Sequence, residues 1–115
     1  MLFRSSIVGA VGRERNMAYA AAKAGVLNLS KSIQKTHAKD NICVFVIAPG
    51  ATDTPMLRRN RSGDDMKEYC ARLPFGKLVT AEQIAELVAF LADDLTGHMM
   101  AGQVLHTNGA AHMGF

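Results

Sequence analysis

The sequence predicts an α/β fold built on a small parallel sheet of about three strands with flanking helices. The central observation is ICVFVIA at residues 42–48, a continuous apolar run rich in β-branched residues. Such a run is typical of a strand that is buried on both faces, as in a parallel sheet covered by helices. Helical apolar periodicity precedes this run over residues 17–37 and follows it over residues 81–92. Strands that alternate with helices in this order favour a parallel sheet.

Two shorter strands complete the predicted sheet. Residues 1–4 begin with an apolar stub, long enough for the end of a strand, and residues 103–107 form a short strand late in the chain. We expect the three strands to lie side by side in their chain order. Residues 5–15 contain two glycines and are predicted to form a loop. Pro49 and Gly50 are predicted to stop the central strand.

The predicted helices differ in length and in the signals that mark them. The helix over residues 17–37 is rich in alanine, the best helix former. Its apolar face is formed by Ala22, Val26, Leu29 and Ile33. Thr80, with Gln83 three residues later, fits the capping box that begins the second long helix. Residues 56–77 are charged and irregular, with a short helix near residues 64–72.

Length and composition indicate one globular domain at most. The chain has 115 residues, of which 49% are hydrophobic and 20% are charged. Its two cysteines and four histidines are dispersed, so no metal site is predicted. No apolar run approaches the roughly 18 residues of a membrane span. We therefore expect a cytoplasmic location and no membrane partner.

The charge is mildly basic, with a net charge of +3. The only basic cluster is formed by Arg58, Arg59 and Arg61, and no aromatic residues are interleaved with it. This pattern favours a solvated loop over a nucleic-acid-binding surface.

Tyr19 and Lys23 are the first candidate site residues. They lie four residues apart in the alanine-rich helix, so the phenol and the ammonium emerge on one face. An ammonium beside a phenol favours the phenolate form, which suits acid–base work at neutral pH. Ser6 lies thirteen residues before Tyr19, and its hydroxyl could hold a substrate oxygen. Without further context, a Tyr and a Lys at this spacing are more often an ordinary pair on an amphipathic helix.

Two long segments supply that context. The segment SSIVGAVGRERNMAYAAAKAGVLNLSKS, followed by ICVFVIAPGATDTPM, resembles the short-chain dehydrogenase/reductase family. The tail from LPFGKLVTAEQIAELVAFLADD to TGHMMAGQVLHTNGA resembles the same family. The resemblance covers nearly the whole chain but only the C-terminal half of such an enzyme. It implies that residues 1–115 form part of a Rossmann-type, doubly wound parallel sheet, and that residues 56–77 are its variable substrate lid.

The resemblance also implies roles for individual residues. Ser6 matches the substrate-orienting serine, with Ser5 as the candidate if the register shifts by one. Tyr19 matches the catalytic acid/base and also contacts the cofactor. Lys23 matches the lysine that binds the nicotinamide ribose and tunes the tyrosine. The loop after the central strand matches the segment that contacts the nicotinamide end of NAD or NADP, through Pro49, Gly50, Thr52 and Thr54.

The sequence lacks a Gly-rich TGxxxGxG-type loop, and with it the pyrophosphate and adenosine sites. The first hypothesis is therefore a truncated NAD(P)(H)-dependent oxidoreductase acting on a carbonyl or alcohol substrate. The alternative is a catalytically inactive fragment that serves at most as an oligomerisation or interaction module. Under both hypotheses we expect the chain alone to show no turnover, and to associate with itself or with a complementary half. The substrate and the choice between NAD and NADP are left open.

Overall fold

The computed structural model describes residues 1–59 and 61–113. Asn60, in the predicted lid segment, and Gly114 and Phe115, at the end of the predicted domain, lie outside the described residues. In chain order the elements are β1 Leu2–Arg4, α1 Val8–Val11, α2 Met17–His37, a 3₁₀ helix Ala38–Asp40, β2 Phe45–Pro49, α3 Pro55–Arg58, α4 Gly63–Ala71, α5 Ala81–Ala92, a 3₁₀ helix Gly97–Met100 and β3 Val104–Thr107.

The three strands form one parallel sheet in the order β1-β2-β3. Leu2 pairs with Phe45, and Val46 pairs with Val104 on the other side of β2. The predicted α/β class and the spatial order of the strands are therefore confirmed. A three-stranded parallel sheet with flanking helices corresponds to part of a Rossmann-type fold.

The central strand forms the core of the molecule. Residues 44–48 are each at most 6% exposed, as the uninterrupted apolar run predicts for a strand with neighbours on both sides. Phe45 and Ile47 pack against Leu91 of α5, and partly buried side chains surround this cluster. The second long helix thus covers the face of the sheet that carries Phe45 and Ile47.

The bounds of β2 differ from the prediction at both ends. The strand begins at Phe45. Before it, the side chain of Gln34 forms hydrogen bonds with backbone groups that would otherwise be free to pair with a neighbouring strand. The Val44 N–H donates to Gln34 Oε1 over 2.6 Å, and Gln34 Nε2 donates to the Ile42 carbonyl over 3.1 Å. At the other end Pro49 still pairs with Thr107, so the strand ends after the proline and not before it.

A short helix lies where a loop was predicted over residues 5–15. In α1 the N–H of Val11 donates to the Ile7 carbonyl, and the N–H of Gly12 donates to the Val8 carbonyl. Gly12 then ends the helix with φ +73°, a conformation that favours glycine. A single turn of helix is too short to show apolar periodicity, so the sequence pattern could not reveal it.

The two long helices have the bounds that were predicted. The capping box of α5 is confirmed, because Thr80 Oγ1 accepts from the Gln83 N–H and Gln83 Oε1 accepts from the Thr80 N–H. On α2 only Ser30 is buried, and Leu29, on the predicted apolar face, is 53% exposed. Among the helices of residues 1–59 and 61–113, none is both long and apolar enough to cross a bilayer.

Candidate active site

The two serines that follow β1 are held against the end of β2. The Ser5 N–H donates to the Ile47 carbonyl over 2.8 Å, and the Ile7 N–H donates to the Pro49 carbonyl over 3.1 Å. This continuation of the strand pairing places Ser6 at the carboxyl edge of the sheet, where open α/β sheets bind ligands. Ser6 is buried, and its Oγ accepts from the Val8 N–H over 3.3 Å at the start of α1.

Ser5 has a different set of contacts. Its hydroxyl donates to the Lys23 carbonyl over 2.8 Å, so this side chain ties the end of β1 to the backbone of α2. Of the two serines considered from the sequence, Ser5 is therefore engaged with the helix and Ser6 is directed to the open edge of the sheet.

The loop after β2 is fixed by β3 and by the residues that precede α5. The Gly50 N–H donates to the Thr107 carbonyl over 3.2 Å, and a Cβ at Gly50 would lie 2.6 Å from the Asn108 Cβ. Thr52 forms a bridge with Val79. Thr54 begins α3, where its Oγ1 accepts from the Leu57 N–H over 3.3 Å.

Four of the predicted site residues line one open cavity of about 410 Å³. They are Ser6, Gly50, Thr52 and Thr54. Pro49 is not part of the lining, although the Ile7 N–H donates to its carbonyl oxygen directly beside the cavity. The structure therefore brings the serine after β1 and the loop after β2 to the same place, as the sequence predicts for the carboxyl ends of parallel strands.

Tyr19 and Lys23 form a second group on α2. The Lys23 Nζ lies 5.6 Å from the centre of the Tyr19 ring and donates to the Arg4 carbonyl over 3.2 Å. Tyr19 is 47% exposed. Neither side chain lines the 410 Å³ cavity. The pairing of the phenol with the ammonium is thus present, whereas a joint cluster of Tyr19 with Ser6 remains a prediction.

The cavity also contains polar residues that the sequence reasoning did not assign to the site. They are Arg13, Arg61 and Tyr69. The Arg61 guanidinium carbon lies 4.5 Å from the centre of the Tyr69 ring, within the range of a cation–π contact. Neither the spacing nor the composition of residues 56–77 shows this contact, because it depends on how the folded chain places the Arg61 side chain against α4.

The three clustered arginines have separate environments in the structure. Arg58 forms a bidentate pair with Asp53, with Nε–Oδ1 and Nη2–Oδ2 distances of 2.5 and 2.6 Å. These hydrogen bonds from Arg58 lower the pKa of Asp53. Arg59 is exposed, and Arg61 lines the cavity. The cluster is therefore not one continuous basic surface.

A histidine pair lies beside the end of β3. The rings of His106 and His112 meet edge to face with their centres 5.3 Å apart. Burial lowers the pKa of His106, and the neighbouring charge of His112 lowers it further. Within the described part of the chain, His106 Nδ1 is buried without a hydrogen-bond partner.

Comparisons with known proteins show which proteins the chain is similar to. A family model described as enoyl-(acyl carrier protein) reductase matches residues 1–112. The chain is 42% identical over 105 residues to cis-4-hydroxycyclohexanecarboxylate dehydrogenase of Sinomonas cyclohexanicum, covering 91% of this chain and 41% of that protein.

Two reductases are also similar to the chain. The chain is 42% identical over 108 residues to 3-oxoacyl-[acyl-carrier-protein] reductase FabG of Salmonella typhimurium, covering 94% of this chain and 43% of the relative. It is 36% identical over 109 residues to acetoacetyl-CoA reductase of an Acinetobacter species, covering 95% and 43%. The chain thus spans less than half the length of each of these curated relatives.

Proposed function

Because the chain belongs to the short-chain dehydrogenase/reductase family, we propose that it is the catalytic portion of an NAD(P)(H)-dependent oxidoreductase acting on a carbonyl or alcohol substrate. The observation that carries this proposal is the convergence of Ser6 with the loop after β2 on one cavity at the carboxyl edge of a parallel sheet. The names of the relatives describe reductases and a dehydrogenase, and they support the same class of reaction.

Three residues of the chain would act in the proton transfer, each with a separate role. The Ser6 hydroxyl, buried at the carboxyl end of β1, holds the substrate oxygen. Tyr19 donates a proton to that oxygen in the reduction and accepts it in the oxidation. Lys23, whose Nζ lies 5.6 Å from the centre of the Tyr19 ring, would bind the ribose next to the nicotinamide. Tyr19 is 47% exposed, so its side chain is open to solvent.

NAD or NADP, when bound, would supply or accept the hydride. The residues that would hold its nicotinamide end are Pro49, Gly50, Thr52 and Thr54, together with Tyr19 and Lys23. Gly50 supports this role because it lines the cavity and lets the loop pack closely against Asn108, where an added Cβ would lie 2.6 Å from the Asn108 Cβ. Thr52 and Thr54 line the same cavity. The pyrophosphate and adenosine would be bound outside the 115 residues.

How much of a complete domain the chain represents is also a proposal. The relatives are more than twice as long as their matched segments, so residues 1–115 would form part of one domain, with residues 56–77 as its substrate lid. We place this domain in the cytoplasm. The chain alone is expected to bind the dinucleotide weakly and to show no turnover.

The test is a chimera in which the part of the S. typhimurium reductase that precedes its matched segment is fused to this chain. NADH and NADPH deuterated at the transferred position are incubated with a ketone, and deuterium in the alcohol product is measured by mass spectrometry. We expect labelled product, and about a hundredfold slower labelling in Ser6→Ala, because one hydrogen bond to the reacting oxygen is lost. Ser32→Ala is the matched control, since Ser32 is exposed on α2. A folded chimera that binds cofactor but transfers no deuterium would overturn the proposal.

A second candidate function is favoured by the exposed apolar surface of α2 and by the unpaired edge of β1. Met17 is 80% and Leu29 53% exposed, and an unpaired strand can associate with another chain. The chain would then act as an oligomerisation or interaction module. Light scattering should show a dimer or a larger oligomer that Leu29→Glu dissociates, while Leu95→Glu, at an exposed position outside α2, does not. A monomer at all concentrations would contradict this candidate.

A further inference from the structure

The cavity carries more positive charge than the proposed function requires. Two guanidinium groups line it, from Arg13 and Arg61, and no aspartate or glutamate is among its described lining residues. We propose that the substrate of this site carries an anionic group, a carboxylate or a phosphate, which these two arginines bind. The inference rests on the proposed function, because it identifies the substrate class of the same site.

The guanidinium of Arg61 is held in place. It stacks on the Tyr69 ring at 4.5 Å, and its Nη1 donates to the Leu57 carbonyl over 3.0 Å. The arginine side chain has five N–H donors, and within residues 1–59 and 61–113 the structure gives the Arg61 side chain this one hydrogen bond. The remaining donors are available for the paired hydrogen bonds that guanidinium groups form with carboxylate and phosphate oxygens.

Arg13 approaches the cavity from a different element. It follows Gly12, which ends α1, and lies close in sequence to the buried Ser6. In the described part of the chain the Arg13 side chain has neither a hydrogen bond nor an ion pair. Its charge is therefore not neutralised by a neighbouring carboxylate.

The nearby acidic groups lie outside the cavity lining. Both carboxylate oxygens of Asp53 accept from Arg58, and Glu68 pairs with Arg72. Asp65 accepts from Ser62 at the start of α4, and its charge also interacts with Arg61. Among the described lining residues, Arg13 and Arg61 are therefore the charged groups. A volume of about 410 Å³ suits a small molecule with a neutral reacting end near Ser6 and an anionic end at the arginines.

The test compares each anionic ligand with a neutral relative that lacks the charge, using the full 115-residue chain without cofactor. One pair is 4-oxopentanoate and its methyl ester, and the other is dihydroxyacetone phosphate and dihydroxyacetone. Affinity is measured by calorimetry, and the site is located from amide chemical shifts of Ser6, Gly50 and Thr54. We expect each anion to bind at least about tenfold more tightly than its neutral partner. The pair with the larger ratio identifies the anionic group as carboxylate or phosphate.

Variants assign this preference to the arginines. Arg61→Gln and Arg13→Gln should each weaken anion binding about tenfold and leave the neutral ligands unaffected. Arg59→Gln is the matched control, because Arg59 has the same charge, lies two residues away and does not line the cavity. Arg61→Lys keeps the charge but loses the planar fork, and should retain part of the affinity. Amide spectra of each variant show whether the fold is intact.

Equal affinity for the charged and neutral ligands, or equal weakening in Arg59→Gln and Arg61→Gln, would overturn the inference. Its failure differs from failure of the proposed function, since binding is measured without hydride transfer. A chimera that reduces neutral ketones while rejecting anions refutes only the inference. Anion binding without any deuterium transfer refutes only the proposed function.

Discussion

Gly9 lies so close to the backbone of Lys23 that a Cβ at Gly9 would be 2.8 Å from the Lys23 carbonyl carbon. The Ser5 hydroxyl bonds the Lys23 carbonyl oxygen from the same side. These contacts join the segment after β1, which carries Ser6, to the turn of α2 that carries Lys23. The position of the helix relative to the serine therefore depends on a glycine at position 9.

Gly9→Ala tests this dependence on stability. The added methyl group would meet the Lys23 and Ala24 backbone at 2.8–3.0 Å, so α1 and α2 must separate. We expect a loss of about 1–3 kcal/mol in the free energy of unfolding. Gly25→Ala is the control on α2, because nothing lies within 4 Å of its Cβ position, and it should gain up to about 1 kcal/mol. Urea unfolding of both variants makes the comparison. If Gly9→Ala is as stable as Gly25→Ala, the packing described for α1 is wrong.

The capping boxes at the starts of α4 and α5 provide a second stability prediction. Thr80→Ala removes the acceptor for the Gln83 N–H, and we expect a cost of about 1 kcal/mol because α5 carries Leu91 of the core. Ser62→Ala makes the same change at α4, which has no buried residue. Its effect should be local fraying, detected as faster amide exchange in α4, with little change in global unfolding. If Ser62→Ala causes a larger loss in the global free energy of unfolding, residues 56–77 contribute more to stability than the exposure of α4 indicates.

The pH dependence of stability should contain a contribution from His106. Burial lowers its pKa in the folded state below the ordinary 6.5, so the unfolded chain binds the proton more readily. Well above pH 6.5 both states are neutral at this residue, and it contributes no pH dependence. As the pH falls below 6.5, the unfolded state is protonated first and stability decreases, until the pH passes the folded-state pKa.

Unfolding free energies measured between pH 7.5 and pH 5 test this sign. His106→Gln should reduce the loss of stability on acidification. His112→Gln should reduce it less, because burial is the larger cause and the charge of His112 the smaller one. An unchanged pH profile in His106→Gln would exclude this residue as the source.

The sequence predicted the parts of the fold that depend on regular patterns. The apolar run that contains Phe45 and Ile47, and the periodicity of α2 and α5, located the central strand and both long helices. The start of β2 could not be predicted in this way, because it is set by the side chain of Gln34, eight residues before Ile42. The four-residue α1 depends on a tertiary contact between Gly9 and α2 and not on its own sequence.

In the candidate site, too, some residues could be predicted from the sequence and others could not. Ser6, Thr52 and Thr54 lie near strand ends, and the topology of a parallel sheet brings such positions together. Arg61 and Tyr69 come from the irregular segment, where no sequence periodicity relates one side chain to another. Their presence in the cavity depends on the contact between Arg61 and Tyr69, eight residues apart, which local patterns do not encode.

The most direct measurement of the central claim compares the two tyrosines of the chain in the deuterium-transfer chimera. Tyr19 is the proposed acid/base but lies outside the cavity lining, whereas Tyr69 lines the cavity beneath Arg61. Tyr19→Phe should lower kcat by at least about a hundredfold, because it removes the proton donor. Tyr69→Phe keeps the ring that supports Arg61, and kcat should fall far less. A chimera in which Tyr69→Phe abolishes deuterium transfer while Tyr19→Phe retains it would contradict the assignment of Tyr19 and of the α2 pair to catalysis.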